Sequence, residues 1–338
     1  MRLGRLMSAA TLGVAIAMSC LCAPALADGN FTITLVPQTG MIGNQPAIDA
    51  FNRAANEWSS HITSAVPVNI VIDVNFANTL NSNTIAQSPL NGKDLPFDTV
   101  RNAIATNVAP FNPIAAFLPT SSTIAVHTVQ PNTFDSSQIY VQSANQKVLG
   151  LLPGTNAGPD GVITFNSNFN FNYTGNPTAA QTDFQSVAAH EIGHVLGFDS
   201  TVDDYDASPG NLLDLLPLDL YRFNSSSVPT TPTGFTTAVR ELAPGASSVT
   251  SDTVHSYLMS TGVNFGDGNG ASHWKDDALL SGSYIGVMDP TLPAGTVYPL
   301  TTADLLAVQL IGYDVTPEPG CAVLFCIVGF GLLKRRRA

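Results

Sequence analysis

The sequence predicts an α+β fold on three observations. One segment has the apolar period of a helix, another has strict two-residue alternation, and no regular strand–helix–strand alternation follows. In "AIDAFNRAANEWSSHI", Phe51, Ala54, Ala55, Trp58 and Ile62 fall on one face, which predicts an amphipathic helix. "VNIVIDVNF" alternates Val68, Ile70, Ile72, Val74 and Phe76 against mostly polar neighbours, a strand with one buried face. Residues 78–131 are rich in Asn, Pro and Thr and predict short strands joined by long loops. "SSQIYVQSANQKVLGLL" predicts a strand running into a short helix.

"DGVITFNSNFNFNY" opens on the turn pair Asp160-Gly161. Ile163, Phe165, Phe169, Phe171 and Tyr173 then alternate with Thr164, Asn166, Asn168, Asn170 and Asn172, predicting a strand near a sheet edge with an asparagine-lined face. A helix is expected from Thr182, with Thr182 and Gln185 as capping box, Asp183 complementing the dipole and Gly197 as stop. Residues 199–271 read as loop-rich. "TADLLAVQLIG" predicts a last helix, with Thr301 boxed by Asp304 and an end at Gly312.

The two ends stand apart from this body. Residues 1–27 carry Arg2 and Arg5, an apolar run and Ala25-Leu26-Ala27, the pattern of a secretory signal peptide cleaved before Asp28. At the other end, Pro317-Glu318-Pro319 precedes an apolar run from Cys321 to Leu333 and then four basic residues. As a helix that run spans only ~20 Å, short of a ~30 Å hydrocarbon core. The order of parts over residues 316–338 resembles the PEP-CTERM sorting signal of Gram-negative bacteria. The resemblance implies transient membrane anchoring, partners in signal peptidase and an exosortase-type sorting machinery, and a place at the cell envelope, outer surface or extracellular matrix.

All four cysteines lie in these ends, so residues 28–320 fold without disulfides. Six of the 13 basic residues are also there, leaving seven against all 25 acids, a net charge of −18 for the body. Such a surface argues against nucleic acid or anionic lipid as a partner. Roughly 290 residues suffice for one large domain or two lobes. The expected division is residues 28–198, ending in the helix described next, and residues 199–315.

That helix carries "VAAHEIGHVLGFDS", in which His190, Glu191 and His194 have the H-E-x-x-H spacing. On a helix the two histidines project from one face and can reach one zinc ion at about 2.0–2.1 Å. Glu191 beside them can take a proton from the metal's water. A catalytic zinc wants a third protein ligand, and three residues are candidates. Asp199 is nearest, and Glu241 in "TTAVRELAPG" would make a site with two His and one Glu. His273 stands in the Gly-rich "GDGNGASHWKDD", and Met288 follows in "GVMDP". His61, His127 and His255 read as structural.

The motif, its continuation to Gly197 and the later His and Met resemble the metzincin metalloproteases. Their motif continues to a last histidine where Ser200 stands here. A remote histidine followed by Trp, as in "SHW", resembles the leishmanolysin type. The resemblance implies a metzincin-like catalytic domain with a twisted mixed sheet, an active-site helix and a loop-rich C-terminal subdomain. It also implies one catalytic Zn2+ on His190, His194 and His273, Glu191 as general base, and Met288 in a Met-turn beneath the site. The asparagine strand (Asn166, Asn168, Asn170) would be the edge that pairs with a protein or peptide substrate. Three departures are Ser200, Lys275 after Trp274, and the lack of a tyrosine just after Met288, with Tyr284 before it.

The implied activity is that of an exported zinc endopeptidase. Two rivals are a surface or matrix binding protein with a structural zinc site and a zinc hydrolase of non-peptide bonds. A structural site has no use for Glu191, which weighs against the first. Ca2+ is a further candidate ligand of "TVDDYDAS" and "FGDGNG", although neither has the EF-hand spacing and both suit a solvated acidic surface.

Overall fold

The computed structural model describes residues 30–131 and 133–316. The leader expected at residues 1–27 and nearly all of the segment expected at 316–338 lie outside them. Among the described residues, no helix is long and apolar enough to cross a membrane.

The chain opens with a strand that the sequence reading did not single out, β1 (Phe31–Pro37). Helix α1 (Gln45–Ser59) and strand β2 (Val68–Ala77) follow, and β1 and β2 pair in parallel, Phe31 opposite Val68. β1–α1–β2 is thus one strand–helix–strand unit within the expected α+β fold. Its first strand was legible as Phe31, Ile33 and Leu35 alternating with threonines. Helix α1 stops at Ser59, so Ile62 lies beyond it, buried in a two-residue strand. Val68, Ile70, Ile72 and Val74 of β2 are buried as the alternation requires, each contributing roughly 1.5–3 kcal/mol on burial.

A short strand, β3 (Ala86–Gln87), and helix α2 (Phe97–Val108) come next. Helix α2 corrects the expectation of strands and loops alone in this region. Its apolar stripe, Phe97, Val100, Ile104 and Val108, has helical spacing, but its N-cap is Pro96 with no side-chain cap, so no start signal announced it. Strand Phe134–Gln142 runs directly into helix Ser143–Val148, as expected.

Strand β4 (Gly161–Asn166) lies between β2, which it pairs in parallel, and the antiparallel β3. This corrects the asparagine strand on two points. It ends at Asn166, and β3 covers it, so it is no edge. Asn166 is buried, and its amide donates to the carbonyls of Asn81 and Thr84 while its Oδ1 accepts from Asn168 N. That Asx bend turns the chain out of the sheet. Asn168 and Asn170 likewise donate to loop carbonyls, of Asn78 and Ala180. Phe171–Asn172 then pairs with Thr182–Asp183 in a separate small sheet.

Helix α3 (Phe184–Leu196) carries the zinc motif. Its N-cap is Asp183, whose Oδ2 accepts from Ser186 N at 2.9 Å; Thr182 belongs to the strand before it, and Gln185 reaches Glu57 and Arg53 instead. Gly197 ends the helix at φ 108°, a conformation that L side chains rarely adopt. Beyond it come α4 (Val202–Ala207), strands of two to four residues within long connections, and α5 (Thr302–Leu310), whose Thr301–Asp304 box is formed. Four of those strands join Val126–His127 in a five-stranded sheet.

Two hydrophobic cores result. One lies among β2, β4, α1, α3 and α5, with Phe51, Trp58, Ile72, Phe165 and Ile192. The other, around α2 and the five-stranded sheet, holds Ile104, Ile139, Tyr205, Leu220 and Phe223. Both draw on residues either side of 198. Trp58 Nε1 donates to Ala189 O at 2.8 Å, locking α1 to the motif helix.

One ion pair is fully internal. Lys147 Nζ lies 2.6 Å from Asp160 Oδ2 and also donates to the carbonyls of Asn69 and Asn156. Asp160 accepts Val71 N as well, so the pair ties helix Ser143–Val148 to β2. Replacing Asp160 by Ala leaves a buried ammonium without its counter-charge. A loss of about 3–5 kcal/mol is expected in urea unfolding.

Candidate metal centre

His190 and His194 project from α3 one turn apart, and His273 reaches them from the loop before Trp274. Each ring is fixed through Nδ1. His190 Nδ1 donates to Val287 O at 2.8 Å, His194 Nδ1 to Phe198 O at 2.9 Å and Asp199 Oδ1 at 3.1 Å, and His273 Nδ1 to Gly270 O at 2.9 Å. A carbonyl can only accept, so each Nδ1 carries a proton, and in the neutral ring Nε2 then holds the lone pair that a metal needs. The ring centroids stand 4.9, 5.1 and 5.0 Å apart, nearly an equilateral triangle. The Nε2 atoms of His190 and His194 are 3.1 Å apart. Two nitrogens on a tetrahedral zinc would be about 3.3 Å apart, so the donor set fits that ion in number, type and spacing.

Glu191 points into the same place. It is buried, and its Oε2 has no hydrogen-bond partner. Burial lifts its carboxyl to about 7, against the charge of His194 and with that of Asp199. Burial, and the charge of His194 nearby, pull His273 down to about 4, and His190 falls well below the usual imidazole range for the same reasons. Burial also pulls on His194, but the charge and hydrogen bond of Asp199 outweigh it and lift that ring to about 9. The site therefore holds two neutral rings at neutral pH beside one steadied by a carboxylate.

The other sequence candidates lie elsewhere. Asp199 stands behind His194 rather than beside the three Nε2 atoms, and its Oδ2 accepts Gln142 Nε2. Glu241 is occupied by His127, Asn224 and the backbone of Ala243. His255 bonds Asp252, and the Tyr284 hydroxyl donates to Pro299 O. The acids of the two proposed calcium loops mostly hold backbone. Asp203 accepts from Ala271 N and Ser272 N, Asp206 from Asn264 N and Phe265 N, and Asp267 from Thr261 N while pairing with Lys275. A different trio, Asp276, Asp277 and Asp289, brings its carboxylates within 4.8 Å of one another. Tyr298, Thr291 and nearby N–H groups already bond it.

Met288 lies fully buried beneath the motif helix. A Cβ on Gly193 would come within 2.3 Å of Met288 Sδ, so glycine at that place lets the helix settle on the methionine. Trp274 N donates to Met288 O, which joins the His273 loop to the same floor.

A cavity of about 830 Å³ opens over the three histidines. Its lining includes residues 82–88, which contain β3, the outer strand of the main sheet, and residues 289–293 with Tyr298. Sequence reasoning missed both stretches. The β3 strand is two residues long, and Tyr298 sits in a stretch without period.

The family model described as Matrixin matches residues 27–206, just over half of the chain. The match takes in His190, Glu191, His194 and Gly197 and ends before His273. No curated protein and no solved structure matches the chain.

Gly193→Ala is expected to lower stability by about 1–3 kcal/mol through overpacking on Met288. In a thermal-unfolding cycle with Met288→Ala, the double variant should lose less than the two single losses combined. Strict additivity would mean that helix and methionine do not touch.

Proposed function

The chain belongs to the matrixin family, metzincin-type zinc metalloproteases, and from that premise we propose that it is an exported zinc endopeptidase. The observation that carries the reading is the unpartnered, buried Oε2 of Glu191 beside three imidazoles with ring nitrogens within 4.8 Å of one another. His190, His194 and His273 would hold the zinc through Nε2. When bound, zinc supplies a Lewis acid that acidifies a water molecule and polarises a carbonyl. Glu191, with a carboxyl held near 7, takes the proton of the attacking water and passes it to the leaving amine. Asp199 accepts from His194 Nδ1 and keeps that ring turned.

The substrate would lie along residues 82–88 in extended form and pair with the free side of β3, adding a strand to the sheet. This edge takes the place of the asparagine strand. The delivery of the last histidine from a distance, followed by Trp274, keeps the likeness to leishmanolysin-type enzymes. The leader-like start and the PEP-CTERM-like end support export to the envelope or matrix of a Gram-negative bacterium.

Glu191→Gln should keep zinc but lose casein cleavage by about 10²–10⁴-fold. Zinc content by elemental analysis and cleavage of unfolded casein by the full chain read the two halves of that statement. Activity that survives the change removes Glu191 as base. His273→Ala should strip most of the zinc under dialysis that leaves the parent loaded; full retention would leave Asp199 as the ligand to test.

A further inference from the structure

Ser200 stands where the metzincin motif places its last histidine, and its contacts run to the loop that carries His273. Ser200 N donates to Ser272 Oγ at 2.9 Å, and Ser200 Oγ donates to Asp219 Oδ1 at 2.6 Å. Three residues further on, Asp203 reaches the same loop. Its Oδ1 accepts from Ala271 N and its Oδ2 from Ser272 N at 2.9 Å. Arg222 closes the arrangement, with Nη1 donating to Ala271 O at 2.8 Å and Nη2 to Ser260 O at 2.7 Å. Ser260 N in turn donates to His273 O. A Cβ added to Gly270 would lie 3.2 Å from His273 Nδ1 and 3.4 Å from Asp203 Oδ1, so ring, turn and carboxylate are packed against one another.

We propose that Asp203 is the positioning residue for the remote third ligand. Its carboxylate, clamped on the two N–H groups that precede His273, aims that ring at His190 and His194. Ser200 acts with it as the covalent neighbour of the motif that grips the same loop. A ligand within the motif is placed by the helix that bears it. His273 has no such connection to α3, and a loop held only at its ends would let the ring wander by more than zinc geometry tolerates. The carboxylate lies on α4, a few residues past Gly197, and so ties the ring to the motif over a short stretch of chain. Outer partners of this kind typically carry 10–100-fold in metal affinity.

This assignment rests on the zinc reading above. Its test is a zinc dissociation constant, taken by competition with a chromophoric chelator, for the full chain and for Asp203→Ala, His273→Ala and the double variant. Asp203→Ala should weaken zinc about 10–100-fold. In the His273→Ala background it should change affinity no further, because no third ring remains to be aimed. Asp203→Asn, which keeps one acceptor oxygen and the side-chain shape, should fall between parent and Asp203→Ala, and it serves if the alanine variant does not fold. An unchanged affinity in Asp203→Ala would overturn the assignment. So would an equal loss in both backgrounds, the mark of general loosening. A parent chain that binds no zinc at all would instead overturn the zinc reading, and the assignment with it.

Discussion

The three proposed zinc ligands must present Nε2 to a single point, and the chain serves this by tying each Nδ1 to a backbone carbonyl with an aspartate close behind. Asp199 bonds His194 directly. Asp203 clamps the backbone before His273. Asp304 acts on His190 through one residue: it accepts Val287 N at 2.9 Å, and Val287 O accepts His190 Nδ1. The rest of the fold arranges the segments that bear these carboxylates. Helix α3 supplies two rings, α4 follows it directly with Asp203, and α5 brings Asp304.

Asp304 shows why such groups stay put. It is completely buried, and burial alone raises its carboxyl. The contacts around it are donors: Trp274 Nε1, Val287 N, Met288 N, Thr301 N and Thr301 Oγ1. An ionised carboxylate accepts from all of them, whereas a protonated one would lose an acceptor site. One residue thus serves as helix cap, as partner of the tryptophan after His273 and as anchor of the turn that holds Met288. Gly286 completes the fit, since a Cβ there would come 2.4 Å from both Asp304 oxygens. Polar groups buried in this way are stabilising only when every partner is present, so the floor of the site is expected to be its most rigid part. By contrast, the cleft wall at residues 82–88 is held by a two-residue strand on one side only.

What was legible in the sequence had a local cause. The H-E-x-x-H pair, the Gly197 stop and the Thr301–Asp304 box each lie within one or two helical turns, and α1 and β2 repeat their period long enough to be seen. Helix α2 carried a clear stripe but began at a proline with no side-chain cap, in a stretch whose composition suggests loops. The asparagine run misled because its alternation continues in sequence past the point where Asn166 turns inward and bends the chain. The role of Asp203 was hidden in "VDDYDA", where adjacent acids read as a solvated face and only tertiary structure gives one of them two N–H groups to hold. His273 itself could be named from its neighbours Trp274 and Met288, but not the means by which it is delivered.

Ser200 connects these observations to the family. The matrixin match covers the first half of the site and stops at residue 206, before the loop that completes it. With a serine at the last position of the motif, the chain from α4 through the five-stranded sheet becomes part of the metal centre's support, since Arg222 of that sheet holds the carbonyls of Ala271 and Ser260. Asp219, also fully buried, accepts from Ser200 Oγ and Thr201 N and steadies the start of α4. A motif-borne histidine would leave that region free to vary. The remote donor proposed here obliges it to fold before that donor is in place, which would couple metal affinity and the stability of residues 199–273 through the same hydrogen bonds.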